Sequence, residues 1–226
     1  MQRILKYNET GYGILIEHDA GSLNVGNSEE FKTIIESINL DPGKPLFIDC
    51  ILQKANHKNK NGRIYPRPTL EREINNYQQL IKEGRALSEC NHPDNSNIDL
   101  NNVSHRVIKT WWEGDTVYGT LEIITSPGFK QSGIISAAGD RIANFLRLGV
   151  KLGISSRGIG SLREIKGENI VQPDFELVGF DIVANPSTPG AFLFNKEDKK
   201  IGESEIKVIK PQSNDLDSIL DRFLEQ

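Results

Sequence analysis

Val150-Lys151-Leu152-Gly153-Ile154-Ser155-Ser156-Arg157-Gly158-Ile159-Gly160-Ser161-Leu162 is the stretch that decides the fold. Its β-branched and small residues carry no helical face, so it reads as a strand. Residues 164–171 and 175–184 read as two more strands, with Lys166-Gly167-Glu168-Asn169 turning the first connection. Working back from there, 133–148 predicts a helix with Ile135, Ala138, Ile142 and Phe145 on one side and Gly149 after its end. Residues 103–112 and 116–125 predict a hairpin around Glu113-Gly114-Asp115. Residues 86–92 read as a short strand. Residues 68–83 read as a helix started by Pro68 and stopped by Gly84, with Leu70, Ile74, Tyr77 and Ile81 on one face. From Pro45, the alternation of Leu46, Ile48, Cys50 and Leu52 predicts a further strand, and 13–18 is a short apolar piece. The sum is an α+β chain, rich in strands, with two substantial helices in its middle.

Beyond this the composition changes. Residues 195–213 are charged and polar, a linker. Asn214 and Asp215 can cap a short helix striped by Leu216, Ile219, Leu220 and Phe223, which either docks on its own domain or binds a partner. The chain therefore divides into 1–194 and a tail at 195–226.

Bulk properties exclude several function classes. A chain of 226 residues buries roughly 70% of its unfolded surface and needs no disulfide or metal to fold. A net charge of −4 argues against a general nucleic-acid binder. No apolar run nears the ~20 residues of a membrane helix, and the N-terminal residues lack a signal-peptide core, so a soluble cytoplasmic protein is expected. Cys50 and Cys90 have neither metal-ligand spacing nor a disulfide framework. Cys90 stands two residues before His92, which permits a Cys–His nucleophile, although a small buried residue is the commoner case.

Three places hold residue types that are costly without a reason. Asp181, inside the apolar run 177–183, costs several kcal/mol if buried alone, roughly speaking. It needs a His N–H, backbone donors or an arginine, and a purely structural bridge to Arg157 serves as well as a catalytic role. Ser155 and Ser156 lie among glycines that weaken a strand, which asks for a close approach by some partner or ligand. A serine there becomes a nucleophile only beside a base, with the Arg157 or Gly158 backbone N–H groups or the Arg157 guanidinium as oxyanion donors. His92, in Asn91-His92-Pro93-Asp94, is a candidate general base. Alternatively, His92, Asp94, Asp99 and His105 could hold a metal, though their spacing matches no specific metal motif. The order His, Ser, Asp differs from chymotrypsin, subtilisin and the α/β-hydrolases. Residue chemistry alone thus leads to a possible Ser/His/Asp hydrolase.

At these residues the chain resembles the prohead core proteases of T-even-type phages. Asn59-Lys60-Asn61-Gly62-Arg63-Ile64-Tyr65-Pro66 is similar to their N-x-N-x-R-[IL]-Y-P stretch. Leu87-Ser88-Glu89-Cys90-Asn91-His92-Pro93 resembles the segment ending E-L-N-H-P, whose catalytic histidine falls on His92. Trp111-Trp112-Glu113-Gly114-Asp115-Thr116-Val117-Tyr118-Gly119 matches W-W-x-G-x-x-V-Y-G. Residues 153–162 resemble G-V-S-S-R-G-L-G-S-L, where the first serine, Ser155, is the nucleophile and Ser156 its runner-up. Val178-Gly179-Phe180-Asp181-Ile182-Val183, with Pro186-Ser187, resembles V-G-x-D-x-V…P-S and places the third member at Asp181. The likeness spans about 46–191. Cys90 replaces a leucine and His105 falls where the pattern is apolar, which makes Cys90 packing and removes His105 as a ligand.

The resemblance implies a serine protease domain over 1–194 with the assemblin-type fold of herpesvirus capsid proteases, a β-barrel-like core surrounded by helices. It implies cleavage of phage scaffold, core and capsid proteins after glutamate in [Leu/Ile]-x-Glu sites, inside the assembling prohead in the host cytoplasm. Self-association is expected there, and no metal, cofactor, nucleic acid or membrane. Lys58, Lys60 and Arg63 are candidates for recognising the glutamate, against an ordinary solvated loop. Ile201-Gly202-Glu203 before Ser204 is a candidate self-cleavage site. The alternative outside the enzymes is a silent scaffold component of the same fold. The retention of His92, Ser155 and Asp181 speaks against it.

Overall fold

Local patterning sets most elements of the computed structural model, which describes residues 12–16, 45–93, 96–134 and 136–193. The first half holds β1 (Tyr12–Ile16), β2 (Leu46–Lys54), β3 (Arg63–Ile64), α1 (Arg67–Lys82) and β4 (Leu87–Glu89). The second holds β5 (Val103–Glu113), β6 (Thr116–Ile123), α2 (Pro127–Ser132), α3 (Ala138–Arg147), β7 (Gly153–Ile165), β8 (Glu168–Val171) and β9 (Glu176–Val183). The 195–226 tail, with its linker and helix, lies outside the described residues.

The stretch read first becomes β7, the strand on which one sheet is built. Antiparallel β9 pairs with Gly153 to Ile159, and antiparallel β1 pairs with Arg157 to Ser161. With β9 along one edge and β1 joining the other from Arg157, β7 is buried continuously from Gly153 to Gly158. Beyond it β8 pairs antiparallel with β7, and β3 lies parallel to β8. The second sheet runs β2-β6-β5-β4, with the expected hairpin turning at Gly114-Asp115.

Bridges stitch the two sheets together. Cys50 and Gly153 pair with Leu193 and Phe192 on one side, and Cys90 pairs parallel with Ile182 on the other. Between them lies one apolar core that includes Ile48, Leu52, Val107, Leu121, Ile154, Phe180 and Ile182. The expected α+β character and dominance of strands are present. Among the described residues no continuous ladder closes a barrel, and the joins are these short bridges.

α1 begins one residue before the expected start and buries Leu70, Ile74 and Tyr77, with Ile81 partly covered. The second expected helix is corrected. The helix expected over 133–148 covers only Ala138–Arg147, and a separate short helix, α2, precedes it and ends at Gly133 (φ 71°) in a left-handed cap. α3 starts at Ala138, held by Asp140. That carboxylate accepts from the backbone N–H groups of Ser126 (2.7 Å), Ser136 (2.9 Å) and Ala137 (3.2 Å), and from both serine hydroxyls. Burial pushes the Asp140 carboxyl up, but the Ser126 and Ser136 bonds outweigh it and hold it below the usual range. The buried face of α3 includes Ala138, Ile142, Ala143 and Leu146, and Phe145 is 43% exposed. Ile135 lies outside the described residues.

Candidate functional site

β9 carries Asp181 into the interior, where it is fully buried, and the neighbouring elements fix it there. From α1, Tyr77 packs edge-to-face on Phe180 at 5.4 Å, and Glu73 accepts the Leu177 N–H at 2.8 Å. From β5, the buried His105 donates Nε2–H to the Phe180 carbonyl (2.8 Å) and accepts at Nδ1 from the Ser104 hydroxyl (2.9 Å). Burial pushes the His105 imidazole down to about 4. His105 therefore braces the strand, as its place in an apolar pattern suggested.

Four donors converge on the Asp181 carboxylate. Oδ2 accepts from His92 Nδ1 and from Arg157 Nε, both at 2.8 Å. Oδ1 accepts from the Glu89 backbone N–H at 3.1 Å and from Arg157 Nη2 at 3.3 Å. The two readings of Asp181 left open by the sequence, a His partner and an Arg157 salt bridge, are both realised in one carboxylate. Burial alone would raise its pKa. The bonds and charges of His92 and Arg157 outweigh that and hold it below the usual carboxylate range.

The backbone brings His92 there. Two residues past the end of β4 stands Asn91, whose φ of 69° is one that asparagine tolerates better than most side chains, and whose N–H donates to the Ile182 carbonyl at 2.8 Å. An ionised carboxylate only accepts, so His92 Nδ1 carries the hydrogen and Nε2 is the basic nitrogen of the neutral ring. Ser155 stands directly opposite Asp181 in the β7–β9 ladder. Residues so opposed leave the sheet on the same face, with Cβ atoms roughly 4.5–5.5 Å apart. Ser155 is fully buried, and its hydroxyl makes no hydrogen bond with the described residues. An imidazole held in one tautomer by a buried carboxylate can take up a proton at Nε2, and that same carboxylate faces Ser155 across the ladder.

Ser156 faces the other way. Its hydroxyl accepts from Gln53 Nε2 at 2.8 Å, and Gln53 Oε1 accepts from Thr188 Oγ1 at 2.6 Å, tying β7 to β2. Arg157 is fully buried, and its guanidinium also donates to Glu89 Oε1 (2.8 Å) and the Asn97 carbonyl (3.2 Å). Gly158 has a packing reason. A Cβ there would fall 2.4 Å from the Phe175 ring and 2.5 Å from the Glu176 carbonyl, where the β7–β9 register slips.

Sequence reasoning missed Glu89. This carboxylate is fully buried, pairs with Arg157, and accepts the Asp99 N–H at 3.1 Å and Asn102 Nδ2 at 3.3 Å. Its only signal was an acid inside the short strand Leu87-Ser88-Glu89, next to a polar loop. Of the three basic candidates, Arg63 donates through Nη1 to the Ile16 carbonyl at 2.8 Å, and the Lys60 N–H donates to the Ser187 carbonyl at 3.1 Å. The Lys58 and Lys60 side chains are exposed. Cys50 is buried, its thiol pushed up by burial, and Cys90 Sγ bonds Asn102 Oδ1 at 3.0 Å. No metal-holding cluster occurs among the described residues, which do not include Asp94. Glu203 and Ser204 also lie outside them.

Against known proteins, the chain matches the family model described as prohead core protein serine protease over residues 15–206. It is 35% identical over 165 residues to the prohead core protein protease of Enterobacteria phage T4, spanning 72% of this chain and 73% of that protein. Its fold is similar to the solved bacteriophage T4 capsid assembly protease, with a TM-score of 0.61 and 29% identity, covering 79% of this chain and 100% of that one.

Proposed function

The chain belongs to the prohead core protein serine protease family, and we propose that it is a serine endopeptidase of capsid maturation in which Ser155, His92 and Asp181 form the reacting triad. The observation that carries this reading is the Asp181 carboxylate, which holds His92 Nδ1 at 2.8 Å while facing Ser155 across one ladder step. Ser155 Oγ attacks the scissile carbonyl carbon as His92 Nε2 takes its proton. Asp181 keeps the ring in register and stabilises the imidazolium, which returns the proton to the leaving amine. Water then hydrolyses the acyl-enzyme by the same path. Of the oxyanion candidates, the Arg157 guanidinium already donates to Asp181, Glu89 and the Asn97 carbonyl, and the Arg157 and Gly158 backbone lies between β1 and β9.

The substrates in this reading are phage scaffold, core and capsid proteins, cut after glutamate in [Leu/Ile]-x-Glu sites within the assembling prohead, where copies of the chain associate. The 1–194 part is the protease domain. Exposed Lys58 and Lys60 remain the candidates for meeting the acidic side chain, while Arg63 is occupied by Ile16. Self-cleavage between Glu203 and Ser204 would release the C-terminal helix expected after Asn214.

Intact-mass analysis of wild type beside Ser155→Ala, alone and with a peptide containing Ile-Gly-Glu-Ser, tests the reading. Cleavage of the peptide and after Glu203, abolished in Ser155→Ala, is the expected result. Equal cleavage by both proteins would overturn the assignment of the nucleophile.

A further inference from the structure

We propose that Glu89 is a fourth, positioning member of this site, acting through Arg157 to fix the charge and orientation of Asp181. The inference rests on the triad reading above and deepens it. Glu89 reaches Asp181 by two routes. Its backbone N–H donates to Asp181 Oδ1 at 3.1 Å, and its carboxylate holds Arg157 Nη2 at 2.8 Å, while Arg157 Nε donates to Asp181 Oδ2 at 2.8 Å. Glu89 and Arg157 are both fully buried, so water screens this chain of charges little.

Charge counting gives the pair a role beyond packing. With His92 neutral, Glu89, Arg157 and Asp181 sum to −1. When His92 takes the serine proton the cluster becomes neutral. Without the Glu89 charge, the resting cluster is neutral and the reacting one is a buried cation, which opposes the proton transfer. Glu89 thus offsets the arginine that Asp181 would otherwise serve alone. Other ionisable groups near this cluster are Tyr77 on α1 and His105 on β5, both within electrostatic reach of Asp181, Asp99, whose N–H meets Glu89, and Arg141 on α3, 3.8 Å from Cys90 Sγ. None of them replaces the missing carboxylate on Arg157.

Glu89→Gln and Glu89→Asp, each as the full chain, are compared with wild type on the Ile-Gly-Glu-Ser peptide, with Ser155→Ala as control. In Glu89→Gln, kcat is expected to fall about 10- to 100-fold with KM little changed. The acid limb of the kcat/KM profile is expected to move to lower pH by about one unit or less. Glu89→Asp retains the charge and returns the limb to its wild-type position, with kcat still reduced. A folded Glu89→Gln with wild-type kcat and profile overturns the proposal. Should Glu89→Gln not fold, Glu89→Asp decides alone: reduced kcat with unmoved KM and limb supports the role, and full kcat removes it. If Ser155→Ala remains active, the triad reading itself has failed, a result distinct from failure of the Glu89 role alone.

Discussion

Replacing Asp181 with asparagine separates a residue that orients His92 from one that merely neutralises Arg157. The side chain keeps its shape but has one oxygen to offer where two now accept from four donors. If the amide oxygen takes the Oδ2 position, the new NH2 faces the Glu89 backbone N–H and Arg157 Nη2, two donors that cannot turn away. If it takes the Oδ1 position, the NH2 faces Arg157 Nε and His92 Nδ1. The imidazole escapes that conflict by changing tautomer, so only one opposed pair of donors remains. The second arrangement is therefore preferred, and it puts the hydrogen on Nε2, where the ring can no longer take the serine proton.

The expected loss in kcat is on the order of 10⁴-fold, about 5 kcal/mol of transition-state stabilisation. Stability falls by about 3 kcal/mol, because a buried ion pair is weakened while Glu89 still balances Arg157. Urea unfolding checks the second figure, and steady-state cleavage of the Ile-Gly-Glu-Ser peptide by the folded protein checks the first. A folded Asp181→Asn within tenfold of wild-type kcat would refute the orienting role and leave Asp181 as the structural partner of Arg157.

Ser156→Ala should keep kcat within a few-fold yet lower stability by about 1–3 kcal/mol, because it strands the buried Gln53 amide donor. Calorimetry and peptide cleavage read the two effects, and loss of cleavage in this variant but not in Ser155→Ala would reverse the two serines. His105, pushed by burial from 6.5 to about 4, stays neutral in the folded state while the unfolded chain takes up a proton. Its contribution to stability is complete above pH 6.5 and lost as pH falls towards 4, about 3 kcal/mol in all. Denaturant titrations across that window should show the slope in wild type and a flatter one in His105→Gln. An equal slope in both would assign the acid sensitivity elsewhere.

What could be read from the sequence was local. α1, the β5–β6 hairpin and the β7–β9 run follow from periodicity and turn residues within a dozen positions of one another. The start of α3 could not be read that way. It depends on Asp140 reaching back to Ser126 as well as Ser136, and the Ser126 contact is invisible to helical spacing. The joins between the sheets were hidden for the same reason, since Cys90–Ile182 and Gly153–Phe192 are single pairings across long separations. Within the site, the cost of burying a charge singled out Asp181 because apolar neighbours surround it for several residues. Glu89 escaped because its strand is three residues long and its contrast with the polar loop that follows is slight. The glycines of β7 were read as room for a ligand, and Gly158 is instead room for Phe175.

These separations explain where the site lies. Asp181 and Ser155 belong to the sheet built on β7, whereas Glu89 and His92 arrive on β4 and the residues after it, from the other sheet. The proposed triad therefore comes together at the seam, where Cys90 pairs with Ile182 and the Asn91 N–H meets the Ile182 carbonyl. Arg157 spans that seam, with Asp181 on its own sheet and Glu89 on the other. A buried guanidinium with one carboxylate from each sheet is costly if either sheet withdraws, by about 3–5 kcal/mol for a broken buried pair. The same charges proposed to act on His92 thus oppose separation of the two sheets. In the triad reading, catalytic geometry and sheet docking depend on the same contacts, so variants that loosen the seam should lose peptide cleavage before they lose the β5–β6 hairpin.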